Sequence, residues 1–189
     1  MDEVVTVRPP RWLRSAISRI EANKRLDPVG IVLTNVAKPL LDCRSLASLL
    51  RGDFMGHALH PLLTDVPIGA WLSAALLDAA GGEKSRQAAT RLTAVGLIAV
   101  GPTVASGLVE LSSTGSVERR VGATHAIFNA LAAGGYLISY VQRRHGQHRR
   151  GVATSLAAAA LLGVGGYLGG HLAVVRKVGT ASQDWGDVD

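Results

Sequence analysis

The sequence predicts an all-α protein, a four-helix transmembrane bundle with an N-terminal amphipathic, interfacial helical segment. Three observations predict it. Four apolar runs approach or exceed the ~20 residues that a helix needs to cross a hydrocarbon core about 30 Å thick. Short charged stretches separate them, as loops at a membrane surface do. Hydrophobic residues make up 48% of the 189 positions and there are 22 glycines, while aromatics reach only 4%. A core built from Ala, Leu, Val and Gly is the composition of closely packed membrane helices. A soluble bundle would carry polar residues at helical spacing along each segment, and these segments lack them.

The chain divides into an N-terminal segment (1–55), a four-span domain (56–179) and a short polar tail (180–189). "MDEVVTVRPPRW" begins with acids and has no apolar core, so it does not read as a secretory signal. From Pro10 to Glu21, Trp12, Leu13, Ala16, Ile17 and Ile20 recur at helical spacing, with Arg11, Arg14 and Arg19 elsewhere on the wheel. Such a helix suits either the membrane interface or a cap on the bundle. Asp27 and Pro28 read as N-cap and first residue of a second short helix, which Pro39 interrupts. The spans follow: "PLLTDVPIGAWLSAALLDAA" before Gly81, then Leu92 to Val109, Val121 to Val141 and Val152 to Val175. "GGEKSRQAATR", "ELSSTGSVERR" and "QRRHGQHRRG" connect them, so the spans run up, down, up, down. No internal repeat is read, and low complexity is confined to the alanine run of the fourth span.

The formal charge of +6 is carried by basic residues beside apolar runs, a pattern of lipid phosphates and topology rather than nucleic acid. The single cysteine, Cys43, excludes an intrachain disulfide and a CxxC redox or zinc site. No GxSxG elbow or HExxH motif is present, so a redox carrier or binding subunit is favoured over a hydrolase. "RRHGQHRR" reads as a topology signal, and Asp78 as a carboxylate near enough to the surface for water. A long charged N-terminal segment without a signal peptide favours cytoplasmic termini.

Topology then places the histidines. With the N-terminal side called side A and the opposite one side B, His57 and His60 precede the first span on side A. His125 enters the third span from that side, and His171 lies near the side-A end of the fourth. Asp65 and Glu110 reach the same surface. Ionisable residues inside a membrane mark functional sites. Gly165, Gly166, Gly169 and Gly170 precede His171 at a spacing that suits helix packing or the approach of a flat macrocycle.

Three classes of function stay open. In the first, haem b is held by His57 or His60 facing His125 or His171, as an electron carrier. In the second, the chain is a structural or interaction subunit without cofactor, its histidines and Asn129 hydrogen-bonding between helices. In the third, His57, His60, Asp65, His125 and His171 form a metal-ion, small-solute or proton site.

"GHALHPLLTDVPIGAW", "GATHAIFN" and "GGYLGGHL" together resemble the bacterial membrane family known as domain of unknown function 2231, over residues from about Arg51 to Gly179. Ala58 stands where that family commonly has proline, and both flanking histidines are kept. The resemblance implies four transmembrane helices in the bacterial inner membrane. Some relatives join a Rieske iron–sulfur domain to the fourth span, so a separate iron–sulfur or other redox protein is an implied partner, beside the lipid bilayer and a further copy of the chain as homo-oligomer.

Overall fold

The computed structural model of the chain describes residues 8–179; the polar tail expected at 180–189 lies outside the described residues. The described chain is helical. Three short helices come first: α1 (Arg11–Ala22), α2 (Asp27–Asp42) and α3 (Arg44–Arg51). Four long ones follow: α4 (His60–Ala80), α5 (Arg86–Ser112), α6 (Ser116–Arg144) and α7 (His148–Gly170), the last running on into a π-helical turn over His171–Val175. All four are long and apolar enough to cross a membrane.

The helices outrun their apolar runs, so the loops are shorter than the charged stretches suggest. Only Ser113–Gly115 and His145–Gln147 separate α5 from α6 and α6 from α7. Arg, Gln, Glu and Ala are good helix formers, and nothing stops a helix where it leaves the hydrocarbon. Pro39 does not interrupt α2, which continues through it to Asp42. The first span also begins one residue early, at His60, with Pro61 in the first turn where its missing N–H costs nothing.

α4 packs on α5 and α6 on α7, while α5 and α6 join the two hairpins. Small residues line the contacts. Ala89, Ala123, Ala132 and Ala158 are fully buried, whereas Leu72, Leu76, Ile98 and Ile138 point outward. That is the pattern of a bundle whose outer solvent is lipid. The indole of Trp71 on α4 lies against Gly96 of α5, where an added Cβ would strike the ring. Trp71 in turn stacks on Tyr136 of α6, with centroids 3.8 Å apart and planes 10° from parallel.

Diagonally opposite helices α4 and α6 therefore meet on the bundle axis, and they do so in three layers. His60 faces His125 near side A. Trp71 covers Tyr136 in the middle. Near side B, Asp78 forms a forked ion pair with Arg143, at 2.9 and 2.6 Å. Each pair is separated by the same 65 residues. The flanking helices repeat too. The Thr103 carbonyl on α5 bonds His60 as the Gly165 carbonyl on α7 bonds His125. Gly107 lies under the first imidazole and Gly169 under the second. The two hairpins are thus equivalent units about an approximate twofold axis, and the expectation of no internal repeat is corrected. The repeat escapes the sequence because most matched positions are merely small and apolar, and the third layer carries opposite charges.

The side-B layer revises two further expectations. Asp78 is not wetted; its side chain is 4% exposed and that of Arg143 1%. Arg143 also donates from Nε to Ser139 at 3.1 Å and from Nη2 to Ser155 at 3.3 Å, and His148 Nε2 lies 3.2 Å from Asp78. A charge cannot enter the hydrocarbon alone, so the two neutralise each other inside the bundle. Arg143 and His148 of "RRHGQHRR" belong to this interior cluster, leaving Arg144, Arg149 and Arg150 exposed.

The N-terminal helices form a collar around the side-A end. α1 contacts α6, α2 crosses both α5 and α6, and α3 rests on α5. The apolar face of α1 is turned to protein: Ile17 and Ile20 pack with Val121, Leu168 and Leu172, although Trp12 stays 71% exposed. Ionic contacts pin the collar down. Arg120 of α6 donates to both oxygens of Asp27, at 2.6 and 3.1 Å, and to the carbonyl of Glu21 at 2.9 Å. Asp27 thus serves as a clasp.

Breaking the Asp78–Arg143 pair from one side leaves a buried charge. Arg143→Met is expected to cost about 3–5 kcal/mol, and the double variant Asp78→Leu/Arg143→Met to recover most of it. Thermal unfolding of the detergent-solubilised protein measures both. The clasp gives a pH prediction. Hydrogen bonding to the Arg120 guanidinium holds the Asp27 carboxyl below its ordinary range. A carboxyl depressed in the folded state stabilises above its unfolded pKa and loses that effect as pH falls through the folded one. The stability advantage of the native chain over Asp27→Asn is therefore expected at neutral pH, begins to decline at about pH 4 and is lost as pH falls through the lowered folded pKa. A pH-independent difference between the two would refute the clasp.

Candidate functional site

Of the four histidines expected to converge on side A, two meet. His60, in the first turn of α4, and His125, in the third turn of α6, have ring centroids 6.2 Å apart and planes at 76°. Both rings are held alike. His60 Nδ1 bonds the Thr103 carbonyl at 2.9 Å, with Ser106 Oγ 3.2 Å away, and His125 Nδ1 bonds the Gly165 carbonyl at 2.8 Å. A carbonyl only accepts, so each Nδ1 carries the proton and each neutral ring presents its lone pair at Nε2. The backbone has fixed one tautomer twice.

Local sequence explains why those carbonyls and that space exist. Pro67 has no N–H, which leaves the Leu63 carbonyl of α4 without its helical partner. The Thr103 hydroxyl supplies one at 3.1 Å, fixing α5 against α4 at the level of His60. A Cβ on Gly107 would come within 2.7 Å of the His60 ring, and one on Gly169 within 2.9 Å of His125. Any larger residue at either position would push its imidazole off the axis.

The two sites differ in that Ser106 lies beside Nδ1 of His60 alone and Asn129 beside His125 alone. The Asn129 amide, one turn along α6, lies 3.0 Å from Nε2 of His125 and 3.2 Å from Nδ1. Nearly equidistant from the two ring nitrogens, it lies alongside the imidazole and not along the outward direction of Nε2. Gly165 makes room for Asn129, since a Cβ there would strike the amide.

The other expected site residues lie elsewhere. His57 is exposed, its Nδ1 3.2 Å from the Ala58 carbonyl. His171 opens the π-helical turn and pairs through Nε2 with Glu21 of α1 at 3.2 Å, joining the collar to α7. Asp65 is exposed on α4 and caps nothing, because no side chain caps that helix. Gly166 and Gly170 face open space, so only Gly165 and Gly169 of the glycine cluster serve packing. Among the described residues, no group of three or more His, Cys, Asp or Glu side chains is placed to hold a metal ion.

Sequence reasoning had noted Glu110 only as arriving at side A. It lies one turn beyond Ser106 and Gly107, on the face of α5 that contacts His60 of α4, and its Oε2 is buried without a hydrogen-bond partner. The turn at Gly179 closes over it: Gly179, at φ 70°, accepts from the Ala58 N–H at 3.2 Å, and a Cβ there would collide with the Glu110 carboxylate. Toward side B the site is bounded by the Trp71–Tyr136 stack. Beyond it, a cavity of about 20 Å³ lies between those rings and Arg143, roughly the size for one water.

The chemistry open to the pair follows from its geometry. A metal–imidazole bond of about 2 Å puts the centres of two rings bound on opposite sides of one ion roughly 6 Å apart. The observed spacing matches that, with both Nε2 atoms unprotonated and both rings oriented by backbone, as ligating histidines are.

Comparison with known proteins agrees with the fold. The family described as predicted membrane protein DUF2231 matches residues 56–182, from the residue before His57 through all four long helices. No curated protein and no solved structure matches the chain. The matched region contains both facing histidines, their carbonyl partners and the glycines beneath them, and the chain belongs to the DUF2231 family of predicted membrane proteins.

Proposed function

We propose that this membrane protein is a b-type cytochrome whose haem would be held by His60 and His125, with electron transfer as its function. The observation that carries the reading is the equivalence of the two histidines. Each comes from one of two diagonal helices, donates Nδ1–H to a carbonyl of the neighbouring helix, and rests over a glycine, with the ring centres 6.2 Å apart. Two neutral imidazoles, each offering an Nε2 lone pair, are residues that would hold a haem iron. When bound, the haem supplies a one-electron couple.

The protein's contribution is orientation and exclusion. Hydrogen bonds from Nδ1 to the Thr103 and Gly165 carbonyls hold the rings and raise the basicity of Nε2. Gly107 and Gly169 let α5 and α7 come close beside them. The aromatic stack and the Asp78–Arg143 pair separate the site from side B, so its electron partner, a separate iron–sulfur or other redox protein, would approach from side A. The bacterial inner membrane is the location this reading adopts. A second reading rests on the Asn129 hydrogen bond to His125: the pair then braces the helices in a subunit without cofactor.

The test is an absorption spectrum, oxidised and dithionite-reduced, of protein purified in detergent from haem-replete cells. The expected result is a Soret band with sharp reduced α and β bands, lost in His60→Ala and in His125→Ala and kept in His57→Ala and His171→Ala. A colourless native protein that is folded by circular dichroism overturns the haem reading in favour of the brace. Loss of the bands in His171→Ala alone would reassign the ligand.

A further inference from the structure

We propose that α2 is a membrane-immersed interfacial helix, its apolar flank in the acyl-chain boundary of the side-A leaflet and its polar flank among the headgroups. The inference is independent of any cofactor. α1, the helix whose pattern suggests the interface, spends its apolar face on the bundle through Ile17 and Ile20. α2 does not. It is 16 residues long, about 24 Å, and crosses the side-A ends of α5 and α6. Gly30 and Ala37, two turns apart, are buried and mark the face turned to the bundle. The rest of its surface is divided. Val29, Val32, Leu33, Val36 and Leu40 recur at i, i+3, i+4, i+7 and i+11 along one flank, with Val32 58% and Val36 56% exposed. Asn35, Lys38 and Asp42 recur at i, i+3 and i+7 along the other, which Ile31 alone interrupts.

Two observations choose lipid as the occupant. The helices that α2 crosses, α5 and α6, carry exposed apolar side chains in their own spans, among them Val104 and Ile127, so α2 is packed on helices that face lipid. The described N-terminal segment, residues 8–55, carries nine basic residues against four acidic ones. Two of those acids, Glu21 and Asp27, face inward in ion pairs. The excess positive charge complements anionic headgroups at the level where an interfacial helix lies. Val32 and Val36 exposed to water would gain nothing from their regular spacing, whereas in the leaflet each buries its side chain at the cost of no hydrogen bond.

The experiment uses the full chain in nanodiscs holding one copy each, made of phosphatidylcholine and phosphatidylglycerol. Native Cys43, which is exposed, is replaced as Cys43→Ser, and a fluorophore is attached in turn at Val32→Cys, Val36→Cys and Lys38→Cys. Brominated lipid is expected to quench the labels at 32 and 36 several-fold more than aqueous iodide does, with the order reversed at 38. Three results overturn the proposal: stronger quenching by iodide at 32 and 36, equal quenching at all three positions, or labels at 32 and 36 shielded from both quenchers. The last would assign the flank to protein contact.

Discussion

A polar group inside a membrane bundle has no water to turn to, and that constraint organises this protein from side to side. Every ionisable residue brought toward the axis has to be answered by another group of the chain. Asp78 is answered by Arg143 and His148, Arg143 further by two serines, and His60 and His125 by the backbone carbonyls of Thr103 and Gly165. Even the proline defect in α4 is repaired, since the carbonyl released by Pro67 receives the Thr103 hydroxyl. These answers all demand close approach, and the small residues of α5 and α7 permit it: Gly96 beneath Trp71, Gly107 beneath His60, Gly151 beside Arg143, Gly169 beneath His125. Glycine in a helix normally costs stability; here it exchanges propensity for contact that no larger residue allows.

The twofold relation between the hairpins makes the three axial layers comparable, and each layer has been specialised differently. An axis where like residues meet is tolerable for neutral groups. Two neutral imidazoles face one another, and two aromatic rings stack. Two identical charges would repel in a low dielectric. The third layer accordingly departs from symmetry and sets Asp78 opposite Arg143. The symmetric layers are thus the neutral ones, which is also the condition for a site that receives one ligand from two equivalent directions. Asn129 on α6, where the equivalent residue on α4 is Thr64, breaks the symmetry at the histidines themselves.

The fold was legible in the sequence because membrane insertion is written in run length. Four apolar stretches, separated by charge, specify four helices without any knowledge of their packing. The side on which the histidines gather followed from counting crossings. Which of them meet did not. His57 and His60 are three residues apart, yet only the second is carried on the helix and turned to the axis; His171 lies at the correct depth but is drawn outward by Glu21 of the collar. A signal for the pair did exist. "HPLLTDVPIGAWL" and "HAIFNALAAGGYL" share the histidine, a glycine nine residues on, an aromatic two after that and a leucine next, all in register. Aligned, they would have selected His60 with His125 and Trp71 with Tyr136. The Asp78–Arg143 pair, in the same register, was hidden because complementary charges do not look alike. The inward face of α1 was hidden for another reason: an amphipathic pattern states that a helix has an apolar face but not whether lipid or protein covers it.

The two ends of the bundle are built for different purposes. Side B is closed by its strongest electrostatic contact, a forked ion pair buried on three helices, with the aromatic stack behind it. Side A is closed by adjustable parts: a collar held by ion pairs at partly exposed positions, a π-helical turn, and the Gly179 turn laid over an unpartnered carboxylate oxygen. A buried polar atom left unanswered is costly, and among the described side chains it occurs at Glu110, beside the face of α5 that contacts His60 of α4. The fully buried ion pair lies toward side B, and the ion pairs between the histidine pair and the nearer surface are partly exposed. The proposed electron exchange would require a site close to one membrane face and insulated from the other, and the histidine pair lies near side A with the aromatic stack and the Asp78–Arg143 pair between it and side B.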